Sequence, residues 1–320
     1  MKVFVAGASG ALGRRLVPVL VGAGHEVVGM TRSPEGTRVL RELGAEPVVA
    51  DGLDKAAVMQ AVTNAQPEVV IHEMTGLTGA KSFRKFDDEF ALTNRLRTEG
   101  LDHLLDAARA AGARRFIAQS FGNWSYERTG SSVKTEDDPL DPNPPARMSR
   151  TLAAIRYLES KLAEDNDIEG IALRYANFYG PGSAQFAEHG SIVDQVRKRK
   201  LPIIGDGAGV WSFIQYDDAA TATMLAIDHG APGVYNVADD DPAPVSVWLP
   251  EFAAILRAKP PRRVPVWLGR LAAGEPGVSL FTRIRGASNA KAKRELGWQP
   301  IYPSWRDGLR HELAGAPPPV

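Results

Sequence analysis

The stretch that most constrains this chain is Lys2-Val3-Phe4-Val5-Ala6-Gly7-Ala8-Ser9-Gly10-Ala11-Leu12-Gly13. Val3 to Ala6 form a short apolar run with β-branched and aromatic members, which reads as a buried parallel strand. Gly7, Gly10 and Gly13 follow at a spacing of three, and Leu12, Leu16, Val19 and Leu20 then set up one face of a helix. A strand, a glycine turn and a helix make a phosphate site for a physical reason. The first glycine permits the tight turn, the second lets a diphosphate approach the backbone, and the third lets helix and strand pack closely. Free N–H groups at the helix start, around Ala11 and Leu12, face the anion with the helix dipole behind them. Ser9 offers a hydroxyl donor. The competing reading is a glycine-rich turn with no ligand; the strand before and the helix after favour the phosphate site. Pro18 lies inside the helix, where a proline removes a hydrogen bond at a cost of ~3 kcal/mol, so a kink or a tolerant contact is expected.

Strand-like and helix-like stretches alternate from there on. Strands are expected at 26–30, 47–50, 69–72, 115–119 and 170–174. Helices are expected at 37–43, at 54–62 with Asp54 as cap, at 86–111 and at 149–164. This alternation predicts an α/β fold with a parallel sheet covered on both faces. Residues 121–145 read as loop. A helix near 192–199, a strand at 212–216, a helix at 217–229 and a strand at 234–237 follow. The last third reads as irregular and proline-rich, with helical patterns near 248–258 and 289–296, and Pro317 to Val320 read as a frayed tail.

Composition narrows the partners. Lys+Arg and Asp+Glu both number 38, so the 320-residue chain carries no net charge. That argues against nucleic-acid binding through bulk charge. With no cysteine, disulfides and thiolate chemistry drop out. No apolar run approaches the ~18–20 residues of a membrane span, and the N-terminus shows no signal-peptide pattern; a cytoplasmic protein is expected. No His/Asp/Glu cluster has metal-ligand spacing. A small-molecule substrate is the expected partner.

The end of the second strand speaks to the nucleotide. An acidic residue there accepts from both ribose hydroxyls and favours NAD. Here the chain has Thr31-Arg32-Ser33. Arg32 offers a cationic fork and Ser33 a hydroxyl, both suited to a 2′-phosphate, so NADP(H) is expected over NAD(H), with NAD(H) possible; the alternative is a solvated Arg32. Asp51, followed by Gly52, is either an acceptor for the adenine amino group or a turn aspartate.

These features resemble the extended short-chain dehydrogenase/reductase family, the group of nucleotide-sugar epimerases and dehydratases. The resemblance rests on Gly7-x-x-Gly10-x-x-Gly13, Val70-Ile71-His72, Asn94, and Thr135-Glu136-Asp137-Asp138-Pro139-Leu140. It continues through Leu173-Arg174-Tyr175-x-Asn177-x-Tyr179-Gly180-Pro181-Gly182, Phe213-Ile214-Gln215-Tyr216-Asp217-Asp218 and Lys293-Arg294-Glu295-Leu296-Gly297-Trp298-x-Pro300. It implies a Rossmann-type doubly wound parallel sheet (1–175 plus 213–238) that binds the cofactor, and a smaller C-terminal substrate domain (176–212 plus 239–320). It also implies a nicotinamide cofactor touching Met74 and Tyr175, and a homodimer built on the helices near 90–111 and 149–164.

The chain departs from that family at the chemistry. The family uses a Tyr-x-x-x-Lys pair with a Ser or Thr. Counting back from Leu173-Arg174, the tyrosine position falls on about Met148 and the lysine position on Leu152. Tyr157 and Lys161 match the letters but lie about nine residues too far along, an accidental match. The paired hydroxyls after the fifth strand fall on Ser120 and Phe121. Ser120 and Tyr126 are the candidate catalytic groups, with Tyr126 first choice as replacement proton donor. Trp211 stands where nucleotide-sugar enzymes carry a diphosphate-binding arginine. With Phe121 and Trp124, and Phe186 as a further candidate, it suggests an apolar, aromatic substrate pocket, against the alternative of ordinary core packing, and Asn177 follows the sixth strand where the resemblance implies contact with nicotinamide and substrate. His72 reads as a packed strand residue.

Three functions compete on these residues. The first is an NADP(H)-dependent oxidoreductase acting on a small, rather apolar carbonyl or alcohol. The second is a catalytically degenerate NAD(P)-binding sensor or interaction protein. The third is a redox-neutral epimerase or isomerase that uses the cofactor transiently.

Overall fold

The computed structural model describes residues 1–77 and 82–318; the last two residues of the expected tail, 319 and 320, lie outside the described residues. The N-terminal run forms β1 (Lys2–Ala6), and the glycine turn leads into α1 (Gly13–Gly22). Then come β2 (Glu26–Thr31), α2 (Pro34–Glu42), β3 (Glu46–Val49), α3 (Lys55–Ala65) and β4 (Val69–His72). After α4 (Phe86–Glu89), α5 (Ala91–Arg95) and α6 (Leu101–Ala110) the chain enters β5 (Arg115–Phe121). A short β6 (Val133–Lys134) and α7 (Ser149–Glu164) precede β7 (Glu169–Tyr175) and β8 (Asn177–Tyr179).

Seven strands form one sheet in the order Gly233–Val237, β7, β5, β4, β1, β2, β3. Every pairing in it is parallel. This is the doubly wound, Rossmann-type sheet that the alternation predicts. Side chains alternate across it with period two. Val3 and Val5 join the core under α1, while Phe4 and Ala6 join the core under α3 and α6. Burying a Val or Leu side chain fully stabilises the fold by about 1.5–3 kcal/mol, so a one-residue slip of β1 would be heavily penalised.

Pro18 does not break α1, and it sits on the exposed face. Asp54 caps α3 as expected, accepting from the N–H of Ala56 and Ala57, both at 3.1 Å.

Two expectations need correction. The single helix over 86–111 is broken after Glu89, and Leu96–Gly100 forms a π-turn between α5 and α6. The break accompanies a tertiary contact. Buried Asp87 accepts from Thr151 N at 2.9 Å, Thr151 Oγ1 at 2.7 Å and Arg150 N at 3.1 Å, capping α7 from another element.

The last third is also more regular than it reads. Here α8 (Ser191–Arg197) and α9 (Tyr216–Leu225) are followed by α10 (Val245–Ile255), α11 (Val266–Thr282), α12 (Ala290–Glu295) and α13 (Trp305–Ala314). The helix α11 was hidden because its residues are apolar on several faces and it bends at Gly274, whose φ is 71°. These helices enclose a separate aromatic core with Trp211, Trp248, Phe252, Phe281 and Trp305 at its centre. A short parallel pair, β8 with Phe213–Gln215, brings Asn177 beside Phe213.

Candidate functional site

The C-terminal ends of parallel strands are where a doubly wound sheet binds ligands. A cavity of about 280 Å³ opens there, lined at one end by Gly10, Ala11, Leu12 and Gly13 and at the other by aromatic side chains.

The glycine end depends on close backbone approach. Gly7 has φ +91°, and a Cβ on it would stand 2.7 Å from the Glu73 carbonyl. A Cβ on Gly13 would stand 2.4 Å from the Ala8 carbonyl oxygen. Gly10 N donates to Gly7 O at 2.9 Å, closing the turn, whereas the N–H groups of Ala11 and Leu12 meet no acceptor among the described residues. No side chain caps α1. Unpaired donors at an uncapped helix start fit a dinucleotide diphosphate.

Beyond the turn, Ser9 Oγ and Thr31 Oγ1 are 2.9 Å apart and bonded to each other. Arg32 is exposed and has no hydrogen-bond or ion-pair partner among the described residues. Ser33 caps α2, with its Oγ accepting from Gly36 N at 3.1 Å. Asp51 Oδ1 accepts from Leu53 N at 3.0 Å, closing a turn after β3. Gly52 lies against Met74: a Cβ there would meet Met74 Sδ at 2.4 Å. Buried His72 has both ring nitrogens engaged, with Leu96 O at 2.9 Å and Met74 N at 3.2 Å, and burial lowers its pKa to about 4.

At the other end, Phe121, Trp124, Asn177 and Trp211 all line the cavity. Asn177 Nδ2 donates to Ser212 O and Trp211 Nε1 to Leu280 O, both at 2.9 Å. The buried Trp124 Nε1 has no partner among the described residues. Sequence reasoning missed Phe83, Phe86, Phe90 and the stacked pair Phe178–Tyr216, whose ring centroids are 4.6 Å apart. Those rings converge only through tertiary packing.

Three of the site residues read from sequence sit elsewhere. Ser120 is fully buried, and its Oγ donates to Glu159 Oε1 at 2.7 Å. Tyr126, also fully buried, donates to Asn236 Oδ1 at 2.5 Å and accepts from Arg174 at 2.9 Å. Burial pushes its phenol up to about 12. Neither residue lines the cavity, so neither is placed to meet a ligand there. They belong to a buried network centred on Glu159, whose carboxylate Arg174 grips at 2.7 and 2.6 Å. Tyr175 too lies behind the wall. Its hydroxyl is 2.6 Å from Thr223 Oγ1 and donates to Glu73 Oε1 at 3.1 Å. Met148 and Leu152 are each 1% exposed and packed in the aromatic core. Tyr157 donates to Asp102 at 2.7 and 2.9 Å, away from the cavity, and Lys161 is exposed.

Glu73 is the residue that sequence reasoning passed over. It follows β4, lines the cavity and is 6% exposed, yet its Oε2 has no partner among the described residues. Burial raises its pKa to about 8. The signal was present: a carboxyl closing the apolar run Val69-Val70-Ile71-His72, at a strand end where burial is expected on both faces.

A Rossmann-type fold with a glycine turn at the mouth of a cavity defines a nucleotide-binding protein. The model of the NAD dependent epimerase/dehydratase family matches residues 3–238, and the chain belongs to that family. It is 43% identical to a 3-diazoavenalumate denitrifying reductase of a Streptomyces sp, over 98% of this chain and 100% of that protein. It is 26% identical to the 2-alkyl-3-oxoalkanoate reductase of Stenotrophomonas maltophilia, over 99% of each chain. Its fold matches UDP-glucose 4-epimerase of Thermotoga maritima with a TM-score of 0.77 at 23% identity, covering 98% of both chains. Its relatives are reductases and epimerases, and a nicotinamide cofactor fits both the family and the turn. Among the described residues, no helix is long and apolar enough to cross a membrane and no group of acidic or histidine side chains is placed to hold a metal ion.

Proposed function

We propose that this protein is an NADP(H)-dependent reductase that delivers hydride to a flat aromatic substrate carrying a diazo group, which departs as dinitrogen. The observation that carries this reading is the make-up of the cavity. It has a glycine turn at one end, aromatic rings at the other, two carboxyl groups (Glu73 and Glu89) and, among its described lining residues, no Lys, Arg or His. Such a wall suits a flat, cationic aryl group through its ring faces and offers, among the described residues, no cation to the diphosphate of a nucleotide sugar. Trp211 in place of a diphosphate-binding arginine supports the same conclusion.

The absent acid–base pair then has a chemical explanation. A bound reduced nicotinamide supplies a hydride; when that hydride replaces a diazonium group, a C–H bond forms, the C–N bond breaks, dinitrogen leaves, and no proton is needed. Reduction of a carbonyl, by contrast, requires a proton donor with a suitable pKa within reach. The one phenol in the lining, Tyr216, is pushed up to about 12 by burial. The positions aligned with the family pair, Met148 and Leu152, are apolar and face the core. The name of the 43% identical Streptomyces relative, a denitrifying reductase of a diazo compound, supports the substrate class. Exposed, unpartnered Arg32 supports NADPH through its fit to a 2′-phosphate.

The test is a single incubation with 4-deuterated NADPH and an arenediazonium salt. Dinitrogen evolution with deuterium at the ring carbon is expected, in step with NADPH oxidation. Consumption of NADPH with apolar ketones but none with the diazonium would instead support carbonyl reduction, the reading favoured by the 2-alkyl-3-oxoalkanoate reductase relative.

A further inference from the structure

The backbone of Glu73, whose buried carboxyl has an oxygen with no partner among the described residues, lies against the turn assigned to the cofactor. Glu73 N donates to Ala6 O at 2.8 Å, and the Glu73 carbonyl is where a side chain on Gly7 would collide. Glu73 therefore stands next to the first glycine, while Gly10 to Gly13 line the same cavity. A diphosphate held by that turn brings two negative charges to the cavity lined by a carboxyl group that has no cation to balance it among the described residues.

We propose that Glu73 is a cofactor-binding residue that acts as a neutral acid, so that the dinucleotide binds only to protein in which Glu73 holds its proton. This rests on the nicotinamide-dependent part of the function proposed above and is independent of the substrate.

The surroundings agree from every side. From β7 comes only the Tyr175 hydroxyl, at 3.1 Å. From α9 come Thr223, bonded to Tyr175, and Tyr216 in the cavity lining. Asp217 on the same helix is paired with Arg15 of α1 at 3.6 Å. Arg14 is turned back onto Ser9 O at 2.9 Å. On Glu73's own strand His72 is uncharged at neutral pH and held at Leu96 O. Among the described lining residues Glu89 is the only other carboxyl. No cation thus contacts Glu73 among the described residues, and burial leaves it protonated at neutral pH, with a pKa of about 8. A nearby diphosphate raises that value further, because like charges disfavour ionisation. The bound state then holds a proton that the free protein releases, and affinity falls as pH rises through the free-protein value.

The experiment is a titration of the protein with NADPH and with NADH, followed by nicotinamide fluorescence, from about pH 6.5 to about pH 9.5. The dissociation constant is expected to be flat below about pH 7.5 and then to rise by up to about tenfold per pH unit. Glu73→Gln keeps the shape and polarity without the titration, so its affinity should stay flat from about pH 6.5 to about pH 9.5. Glu73→Leu should bind several-fold more weakly at every pH, also without slope. A purely structural Glu73 moves no pH profile. A wild-type constant that does not change over this range, or a Glu73→Gln variant that keeps the slope, overturns the proposal. Failure of diazonium reduction alone leaves it standing, since no substrate is present; absence of cofactor binding at every pH overturns both this proposal and the nicotinamide part of the proposed function.

Discussion

Two carboxyl groups near the strand ends of this protein are buried to a similar depth and have opposite fates. Glu159 is 8% exposed and Glu73 6%. Glu159 receives two bonds from Arg174 and one from Ser120, all between 2.6 and 2.7 Å. Glu73 has one hydroxyl contact and an oxygen with no partner among the described residues. Burial by itself is therefore a poor guide to function. A satisfied buried charge ties elements together, whereas an unsatisfied one in a cavity wall waits for a ligand or keeps its proton. The contrast also explains why Ser120 and Tyr126, chosen on sequence as catalytic groups, lie in the structural network.

The largest effect should follow from breaking the Glu159 network. Glu159→Ala strands a buried guanidinium, and loss of one partner of a buried pair typically costs ~3–5 kcal/mol. Urea unfolding should show a loss of that order. A loss below about 1 kcal/mol would remove the contrast with Glu73.

Glu73 should make the stability of the fold depend on pH. It ionises near pH 4.5 in the unfolded chain and near 8 in the folded one. Between those values the folded state holds the extra proton, so stability falls as pH rises, by roughly 1.4 kcal/mol per unit. The difference in unfolding free energy between wild type and Glu73→Gln should shrink or grow with that slope across the window and level off above about pH 8. A constant difference would mean that Glu73 titrates normally.

Arg32→Ala is expected to weaken NADPH about tenfold to a hundredfold, from the ~1.5–3 kcal/mol of a charge-assisted hydrogen bond. NADH binding should be unchanged. Equal affinity of the variant for NADPH would return Arg32 to the solvated surface.

The smallest effect belongs to Tyr126→Phe. It removes the bonds to Asn236 and Arg174 and should lower stability by about 1–3 kcal/mol, visible as a reduced urea midpoint. Turnover in the folded fraction should be retained, and a loss of turnover beyond a hundredfold would restore Tyr126 as proton donor.

Much of the frame was legible because it is written in local terms. The Val3–Ala6 run, the glycines at 7, 10 and 13, and the Asp54 cap each act over a few residues, through backbone sterics and hydrogen bonds that short patterns encode. The alternation of strands and helices then leaves a parallel sheet as the one way to bury both faces. The cavity wall was partly legible: Phe121, Trp124, Asn177 and Trp211 were named, but Phe86, Phe178 and Tyr216 join them only when α4, β8 and α9 fold onto one cavity. The α11 helix escaped because a segment apolar on several faces has no period to read.

The sequence by itself determined the nucleotide-binding frame and the glycine turn. Only the tertiary structure decided which polar groups are used up. Whether Ser120 faces a ligand or Glu159, and whether Glu73 has a cation beside it, depends on residues 39 and 102 positions away in the chain, Glu159 for Ser120 and Tyr175 for Glu73. A side chain's chemistry in the interior is set by the partners that packing brings to it, and packing joins residues that no local pattern connects.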